Sequence, residues 1–530
     1  MNESTIKQII HEIFVESSSG NTISDIIENK INKIIEKHGG DSRVSSDMDL
    51  QELASKFHHI KIPELPEDPE QFISTLQESV INHAVHTFSP RFIGHMTAAL
   101  PVFMRPLAKL MVFFNQNPVK METSRSFSPF ERETIAMLHK KMYGATDAFY
   151  EKHIQRPEST LGIMTSGGTT ANLTAMWCAR NKSLGPSGGF KGIEREGMIE
   201  ALKYFDKKDA VVIGSELMHY SFDKAADIMG IGTKNLIKIP VNENYQISLD
   251  ILEETVRKCE KDKRHILALV GVAGTTDIGS IDDLQKMGEI AASAKTHFHV
   301  DAAWGGPIVF SHKYRDLLKG IEMADSITVD GHKQLYVPMG NGMILFRDPE
   351  LAKNIEKSAP YVIRTGSTDL GKRSIEGSRP AMSLLLYSAL HLIGERGFEF
   401  LTEEGIKKTQ YLCKKLRAND SYEVIHDPVL NILLFRYLPE KIRMKQLGTN
   451  ITESENDIIN QFNESLQKQQ RREGRTFISR TTLKKRYGEK IFPVVALRAV
   501  ISNPLSDYSI IDEVIRDQIE IAKKMENMSR

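Results

Sequence analysis

An alternation of short apolar runs with segments of helical character, between about residue 155 and residue 346, most constrains how this chain can fold. Strands that alternate with helices predict a largely parallel sheet with helices on both of its faces. In such sheets, ligand-binding groups gather at the carboxyl ends of the strands. The apolar runs are residues 162–165, 210–213, 266–270, 297–300, 326–329 and 343–346.

The segments on either side of this alternation have a different character, and with 530 residues the chain is long enough for two or three domains. We predict a helical N-terminal extension and linker over residues 1–70, in which isoleucines recur at helical spacing. Residues 71–150 are predicted to form a helical domain interrupted by prolines. Residues 151–375 form the large ligand-binding domain, and residues 376–530 form a small C-terminal domain with strands near 431–435 and 494–501.

The charge balance and the cysteines exclude several classes of protein. Lys and Arg total 69, as do Asp and Glu, so no global positive field attracts nucleic acid or an acidic membrane. The three cysteines are far apart and form no zinc-binding pattern, so we expect free thiols and no metal. The N-terminus lacks the pattern of a secretory signal, and no window approaches the ~20 apolar residues of a membrane helix. We therefore expect a cytoplasmic protein.

A glycine-rich turn follows the first apolar run. Residues 165–172 read TSGGTTAN, and a helical segment begins within them. Adjacent glycines allow the backbone to turn tightly and to approach a ligand. The N–H groups at the start of a helix favour an anion. The turn is typical of a phosphate site, although many such turns bind nothing and this one matches neither the P-loop nor GxGxxG.

Three further polar residues follow apolar runs. Asp301 follows 297–300, where a carboxylate either acts as a helix cap or needs a partner for its charge. Lys333 lies in the turn after 326–329; most lysines are surface residues, but desolvation at a strand end can make one a nucleophile. His219 follows 210–213; a lone histidine is more often structural, but its flat ring can stack on a ligand.

The glycine-rich turn, Asp301, Lys333 and His219 can form a single site, because a parallel sheet brings the ends of its strands to one edge. Pyridoxal 5′-phosphate (PLP) requires a phosphate anchor, an anion for its pyridine nitrogen, a lysine for its aldehyde and a side chain against its ring. The sequence supplies one candidate for each requirement. It therefore predicts a PLP-dependent enzyme.

From about residue 80 to about residue 520 the sequence resembles the group II PLP-dependent amino-acid decarboxylases. This family includes glutamate, aromatic amino-acid and aspartate decarboxylases. The chain length and the segment 370–380 are most similar to the bacterial PLP-dependent aspartate 1-decarboxylases, which are glutamate decarboxylase-like. The motifs that carry the resemblance, in the order of the family, are 166–172, 219–221, 274–276, 300–304, 332–333 and 498–504.

The resemblance implies an α/β fold of the fold-type I PLP-dependent transferase-like class. A mostly parallel central sheet covered by helices is then joined to a helical N-terminal segment and a smaller α+β C-terminal domain. The resemblance also implies a homodimer with shared active sites, in which residues 71–150 contribute to the dimer interface. The expected partner is a small amino-acid substrate, with no nucleic acid and no membrane.

The resemblance also assigns roles to single residues. It makes Lys333, Asp301, His219 and His332 the catalytic residues. Substrate binding falls to Arg498, Gln116 and Asn117, and an arginine fork suits a carboxylate because it donates two parallel hydrogen bonds. The implied cofactor contacts are Lys333 as a Schiff base, Asp301 on the ring nitrogen, Gly168, Thr169 and Thr170 on the phosphate with His332 beside them, His219 and Ala303 on the two ring faces, and Thr275 on the ring substituents.

The chain departs from the family in one loop. Relatives often carry there a tyrosine that returns a proton to the substrate carbon. The loop from about residue 356 to 373 is short, and its one tyrosine, Tyr361, lies near its start. His332 and His219 are the alternative proton donors.

The resemblance to the aspartate 1-decarboxylases implies decarboxylation of L-aspartate to β-alanine and CO2, which supplies pantothenate and coenzyme A. Glutamate decarboxylation to GABA is the first alternative, since one methylene is worth only about 1–3 kcal/mol in a pocket. Other group II decarboxylases follow, and then other fold-type I reactions such as transamination. A PLP-fold protein that regulates without catalysis is the alternative from a different class.

Overall fold

The structure is a computed structural model. It describes residues 22–40, 43–358, 369–444 and 451–528, with a few residues before position 15. The chain forms two compact units, each discontinuous in sequence. The smaller unit comprises residues 1–95, 436–497 and 505–530, and the larger unit comprises residues 96–435 and 498–504. The domain boundaries predicted from the sequence, at residues 70, 150 and 375, remain predictions.

The larger unit is organised around the predicted sheet, which has seven strands in the described part of the chain, in the order β1-β7-β6-β5-β4-β2-β3. The six predicted runs are all strands of this sheet, whereas β3 was not predicted. The strands are β1 (Gly162–Thr165), β2 (Asp209–Ser215), β3 (Leu236–Ile239), β4 (Arg264–Val272), β5 (His297–Asp301), β6 (Ser326–Asp330) and β7 (Gly342–Phe346).

Helices precede, separate and follow these strands. Their bounds, in chain order, are α1 (Ile23–Gly39), α2 (Leu50–Ser55), α3 (Pro69–Ser79), α4 (Met104–Phe114), α5 (Met121–Ser124), α6 (Phe127–Tyr143), α7 (Asp147–His153), α8 (Gly168–Ser183), α9 (Ile193–Tyr204), α10 (Ser221–Ile228), α11 (Leu249–Lys261), α12 (Leu284–Ser293), α13 (Ser383–Leu392), α14 (Gly394–Arg417), α15 (Glu440–Arg443), α16 (Glu453–Glu473) and α17 (Tyr508–Met528).

The sheet is mostly parallel, as predicted, with one antiparallel strand. Strands β2 to β6 pair in parallel, whereas β7 runs antiparallel to both of its neighbours, β1 and β6. The connection from β6 to β7 is the short segment 331–341 without a helix, and a parallel pair needs a longer crossover. The carboxyl ends of the other strands and the start of β7 therefore lie at the same edge of the sheet.

Both faces of the sheet are buried, as expected for a sheet between two layers of helices. Successive residues of a strand point to opposite faces. In β2, Val211 and Ile213 belong to one apolar cluster, to which α6, α11 and α12 contribute. Ala210 and Val212 belong to the other cluster, which includes α8 and α10. The apolar runs of the sequence are explained by this double burial.

A second sheet has four strands within the described residues, in the order β10-β11-β9-β8. Its strands β9 and β11 include both strands predicted for the C-terminal part. The strands are β8 (Tyr422–Val424), β9 (Ile432–Tyr437), β10 (Ser479–Tyr487) and β11 (Lys490–Val500).

Helix α1 of the smaller unit confirms the helix that the spacing of the isoleucines predicted. Helix α1 begins after Thr22, whose side chain accepts a hydrogen bond from the backbone N–H of Asp25, and the Asp25 carboxylate accepts one from the Thr22 N–H. This reciprocal capping box satisfies N–H groups that the first helical turn leaves without acceptors. In the described segments, no helix combines the length and the apolar character needed to cross a bilayer.

Candidate active site

The glycine-rich turn packs directly against the turn that carries the predicted lysine. Strand β1 ends at Thr165, and α8 begins at Gly168. A Cβ atom at Gly168 would lie 2.9 Å from an Asp330 carboxylate oxygen, and one at Gly167 would lie 3.2 Å from the His332 ring. A side chain at Gly168 would therefore collide with Asp330, and one at Gly167 would crowd the His332 ring. The same packing brings the first N–H groups of α8 beside the lysine turn.

Lys333 and Asp330 form an ion pair at this edge. The Lys333 Nζ lies 3.0 Å from Asp330 Oδ2. The Asp330 side chain is buried, and its Oδ1 atom has no hydrogen-bond partner among the described residues. His332 lies beside the pair, with Nε2 3.7 Å from Asp330 Oδ2 and Nδ1 2.8 Å from the carbonyl oxygen of Asn341. Asp330 thus holds the lysine side chain at the strand edge.

The role of Asp330 was missed from the sequence, although the residue lies inside the motif that pointed to Lys333. The alternation of Ser326, Thr328 and Asp330 with Ile327 and Val329 was the available signal. It places three polar side chains on one face of β6, where they are buried. A buried carboxylate at the end of such a stripe is costly without a partner, so the pattern favours a functional role for Asp330.

Asp301 is the second buried carboxylate of the edge, at the end of β5. Its Oδ1 accepts a hydrogen bond from the Ala303 N–H at 3.1 Å, and its Oδ2 accepts one from Asn172 Nδ2 at 2.8 Å. Both donors are neutral, and in the described part of the chain no basic side chain pairs with this carboxylate. A buried negative charge favours a cation nearby. Asp301 can therefore pair with a protonated ring nitrogen.

His219 lies close to both carboxylates and to the lysine. The charges of Asp301, Lys333 and Asp330 all act on the pKa of its imidazole, but burial has the largest effect and lowers that pKa. Its Nδ1 accepts a hydrogen bond from the backbone N–H of Ser221 at 3.2 Å. In the neutral ring the proton therefore lies on Nε2.

Arg498 contacts the turn that carries Thr275, and the Ala273 N–H at the start of this turn donates to the Asp301 carbonyl oxygen at 2.9 Å. The Thr275 hydroxyl is 2.9 Å from Ser280 Oγ, inside its own turn. The Arg498 Nε donates to the carbonyl oxygens of Thr276 and Asp277, at 3.0 and 3.3 Å. Burial lowers the Arg498 pKa to about 10. The guanidinium is thus oriented by the backbone of the 274–276 turn.

Gln116 and Asn117 have polar partners elsewhere. Gln116 Nε2 donates to the carbonyl oxygen of Phe114, and Asn117 Nδ2 donates to Ser378 Oγ at 3.1 Å. Within the described residues, no hydrogen bond joins either of them to Lys333 or Asp301. Their predicted contact with substrate remains a prediction.

Glu376 was not singled out from the sequence, yet it contacts the glycine-rich turn. Its Oε1 accepts a hydrogen bond from the Ser166 N–H at 2.9 Å. The contact joins the segment 370–380, which carried part of the resemblance, to the residue that precedes Gly167. Only the folded chain reveals this contact, because 210 residues separate the two partners.

The turn after Lys333 contains an unusual backbone conformation. Tyr336 has a φ angle of 56°, which is uncommon for a residue with a side chain. Its hydroxyl donates a 2.8 Å hydrogen bond to the carbonyl oxygen of Ser502. The lysine turn is thereby tied to the segment that follows Arg498. Tyr361, the tyrosine of the predicted loop, lies outside the described residues.

Together these residues fit PLP. The uncompensated Asp301 carboxylate suits the ring nitrogen, and the N-terminus of α8 suits the phosphate. The unpartnered Asp330 Oδ1 and the adjacent Lys333 amine suit a group that takes the lysine in covalent linkage. In the segments described, no cluster of His, Cys, Asp and Glu has the arrangement of a metal site.

The comparison with protein families agrees with this fit. The pyridoxal-dependent decarboxylase conserved domain matches residues 53–438. The chain belongs to this family. It is a PLP-dependent amino-acid decarboxylase.

Curated relatives cover most of the chain but differ in their named substrates. The aspartate 1-decarboxylase of Aliivibrio fischeri is 40% identical over 518 residues, which cover 97% of this chain and 94% of the relative. The L-2,4-diaminobutyrate decarboxylase of Acinetobacter baumannii is 29% identical and covers 70% of this chain and 72% of its own length. The aromatic-L-amino-acid decarboxylase of Bacillus atrophaeus is 26% identical, with 84% and 85% covered.

Solved structures confirm the predicted fold-type I architecture. Apo mouse CSAD superimposes with a TM-score of 0.81 at 20% identity, covering 94% of this chain and 98% of its own. The glutamate decarboxylase domain of a Vibrio parahaemolyticus protein gives a TM-score of 0.79 at 21% identity, with 98% and 100% covered. The α/β fold inferred from the sequence is therefore correct.

Proposed function

We propose that this decarboxylase acts on L-aspartate and releases β-alanine and carbon dioxide. The observation that carries the proposal is the 40% identity to the Aliivibrio fischeri aspartate 1-decarboxylase along almost the whole of both chains. The relatives named for L-2,4-diaminobutyrate or aromatic amino acids are 25–29% identical and cover 70–84% of the chain. β-Alanine is a precursor of pantothenate, so the reaction would serve coenzyme A synthesis in the cytoplasm.

PLP, when bound, supplies the electron sink that accepts the electron pair left by carbon dioxide. Lys333 provides the amine that holds the cofactor covalently, and the ion pair with Asp330 supports this role because it fixes the amine at the sheet edge. Asp301 holds a proton on the ring nitrogen, since an opposite charge nearby favours the protonated form. Its two neutral hydrogen-bond donors leave its negative charge for that nitrogen.

The phosphate belongs at the start of α8, on Gly168, Thr169 and Thr170, with His332 beside them. The close packing of Gly167 against the His332 ring supports this arrangement. Ala303 and His219 take the two faces of the ring. The Ala303 methyl group would lie 3.4 Å from a Cβ at Gly168, so the alanine is adjacent to the phosphate turn. Thr275 contacts the ring substituents.

Substrate recognition falls to a buried guanidinium. Arg498 lies beside the 274–276 turn, where its Nε and one Nη donate to the Thr276 carbonyl oxygen, and its positive charge suits a carboxylate. Aspartate carries two carboxylates, of which one leaves and the other must be held. Gln116 and Asn117 complete the predicted substrate contacts from the region that follows α4.

The hydrogen bonds of the two candidate histidines fix the tautomers of their neutral rings. His219 accepts at Nδ1 from the Ser221 N–H, so its neutral ring carries the proton on Nε2. His332 faces the Asn341 carbonyl oxygen through Nδ1, so its neutral ring carries the proton on Nδ1 and leaves Nε2 for proton exchange. Loss of the Nε2 proton from neutral His219 would leave an imidazolate, so the proton returned to the substrate carbon must come from a protonated ring, and both histidines stay candidates for that role.

The substrate proposal can be tested by measuring carbon dioxide release by the PLP-loaded enzyme. The panel is L-aspartate, L-glutamate, L-tyrosine, cysteine sulfinate and L-2,4-diaminobutyrate, each without a keto acid. We expect kcat/KM for aspartate to exceed that for glutamate by about 10-fold or more, because one extra methylene costs about 1–3 kcal/mol in a closed pocket. A higher kcat/KM for any other member of the panel would contradict the aspartate assignment while leaving the decarboxylase family intact.

The homodimer is part of the same proposal. Apolar side chains are exposed along the segment from Leu100 to the end of α4, where Val102 and Phe113 are 75% and 78% exposed. A run of exposed apolar residues marks an interface rather than an ordinary surface. A second copy of the chain is the partner that the family resemblance predicts for this region.

Light scattering coupled to size exclusion tests this interface. We expect the wild-type protein to have twice the mass of the chain, and Phe113→Asp to shift the population towards the monomer because it buries a charge in the interface. Ile199→Asp is the matched control, since Ile199 is 70% exposed on the same unit but lies on α9. A monomeric wild-type protein, or equal effects of the two variants, would rule out this interface.

A further inference from the structure

A line of polar side chains lies buried between the central sheet and helix α8. It consists of Asp301, Asn172, His299, Ser326 and His297, and we call it the buried polar chain. Each of these residues is at most 7% exposed. His297, His299 and Asp301 alternate with Phe298 and Val300 along β5, so they share one face of the strand.

Hydrogen bonds join the five residues without a gap. Asn172 Nδ2 lies 2.8 Å from Asp301 Oδ2, and Asn172 Oδ1 lies 3.0 Å from His299 Nε2. His299 Nδ1 lies 2.8 Å from Ser326 Oγ, which is also 2.8 Å from His297 Nε2. The parallel pairing of β5 with β6 places His299 opposite Ser326 and so allows the middle link.

The donor and acceptor groups of the five side chains fix the direction of every hydrogen bond in the buried polar chain. An ionised Asp301 only accepts, so Asn172 turns its NH2 group towards Asp301 and its oxygen towards His299. His299 must then carry its proton on Nε2 and accept at Nδ1. Ser326 therefore donates to His299, and its oxygen accepts from the Nε2–H of His297. Burial lowers the pKa of His297 to about 4 and that of His299 to about 3, which keeps both rings neutral as this assignment requires.

The His297 end of the buried polar chain lies at the edge of the central sheet opposite to Lys333. His297 lines a cavity of about 420 Å³ there, together with His265 and Asp325. The His297 Nδ1 has no hydrogen-bond partner among the described residues and lies 3.9 Å from Asp325 Oδ2. The buried polar chain thus runs from Asp301, at the edge of the sheet that carries Lys333, to His297, which lines the cavity at the opposite edge.

We propose that Ser326, His299 and His297 are positioning residues, which act through Asn172 to hold the Asp301 carboxylate in the orientation that its ring-nitrogen partner needs. The inference rests on the proposed pairing of Asp301 with the cofactor nitrogen. Asn172 could donate to Asp301 in only one of its two amide orientations, and His299 selects that orientation. The Ser326 hydroxyl donates to His299 Nδ1 in this arrangement and holds the ring in place, so a change at Ser326 reaches Asp301 through two intervening side chains.

Ser326→Ala removes the hydroxyl that links His299 to His297 in the buried polar chain. We expect the dissociation constant for PLP, measured by titrating the apoenzyme, and kcat each to worsen by about 2- to 10-fold, the effect of one lost buried hydrogen bond. Thr328→Val is the matched control: it removes a hydroxyl from the same face of β6, equally buried but without a partner among the described residues. The control is expected to leave both quantities within about twofold of wild type, because no hydrogen bond is lost.

A double-mutant cycle with Asp301→Asn separates positioning from a general loss of stability. If Ser326 acts through Asp301, Ser326→Ala should change kcat and PLP affinity by less than about twofold in the Asp301→Asn background. Equal effects of Ser326→Ala in both backgrounds, or equal effects of Ser326→Ala and Thr328→Val, would overturn the inference. A failure of the proposed function is distinguishable, because Asp301→Asn alone would then bind PLP and turn over like the wild type.

Discussion

Lys333→Ala is expected to abolish covalent attachment of PLP and to reduce decarboxylation by at least about 10²–10⁴-fold, the usual contribution of a group that also transfers protons. The reason is geometric. The amine lies at the carboxyl edge of the sheet, 3.0 Å from a buried aspartate, and next to the glycine-rich turn. The charge of Lys224 also acts on His219, but among the described residues Lys333 is the lysine that pairs with Asp330.

Two measurements check this prediction. Borohydride should fix the cofactor to the wild-type protein, with loss of the absorption band at the edge of the visible range, but should leave Lys333→Ala unlabelled. Peptide mapping should then place the label on Lys333. Lys319→Ala, a change of an exposed lysine in the same unit, is the control and should behave like wild type. Normal turnover by Lys333→Ala would remove the central assignment.

The fold could be predicted from the sequence because its main determinant is periodic. Each buried strand of the parallel sheet is a short apolar run, and all six runs became strands. The antiparallel direction of β7 and the edge strand β3 were not predicted. Strand direction depends on the length and path of a connection, and β3 alternates too briefly, as Leu236–Ile239, to stand out from its surroundings.

The candidate site could be predicted only in part, and the division has a physical cause. Lys333, Asp301 and His219 each follow an apolar run, so the rule that strand ends converge was enough to group them. Glu376 contacts Ser166 across 210 residues, a pairing that no local pattern reveals. The partners of Gln116 and Asn117 likewise depend on the segment near Ser378, which sequence periodicity does not place.

Polar residues within the apolar runs are a further signal in the sequence. His297, His299, Ser326 and Asp330 interrupt β5 and β6, and the structure buries all of them. A sheet face of this kind costs stability unless its groups are mutually hydrogen-bonded. The hydrogen bonds from Asp301 to His297 offset that cost and connect the fold directly to the site.

Asp301→Asn is expected to reduce kcat by about 10²–10³-fold, the range seen when one preorganised electrostatic group is removed from an active site. The change removes the negative charge opposite the ring nitrogen but almost preserves shape. It also leaves one donor facing another, because the single oxygen of the new amide cannot accept from both the Ala303 N–H and Asn172 Nδ2. We therefore expect the free energy of unfolding to fall by about 1–3 kcal/mol as well.

Asp282→Asn separates these two effects. Asp282 is equally buried at 3% exposure and also accepts two hydrogen bonds, from the backbone N–H groups of Ile247 and Val272. Its replacement should therefore cost a similar amount, about 1–3 kcal/mol in denaturant unfolding, since it too leaves a donor facing a donor. Asp282 belongs to none of the predicted cofactor or substrate contacts, so kcat of the folded Asp282→Asn enzyme should stay within about twofold of wild type, because no charge that faces the ring nitrogen is removed. Equal losses of kcat in the two variants would mean that Asp301 serves the fold alone, whereas a loss confined to Asp301→Asn, with PLP still bound, assigns its charge to the reaction.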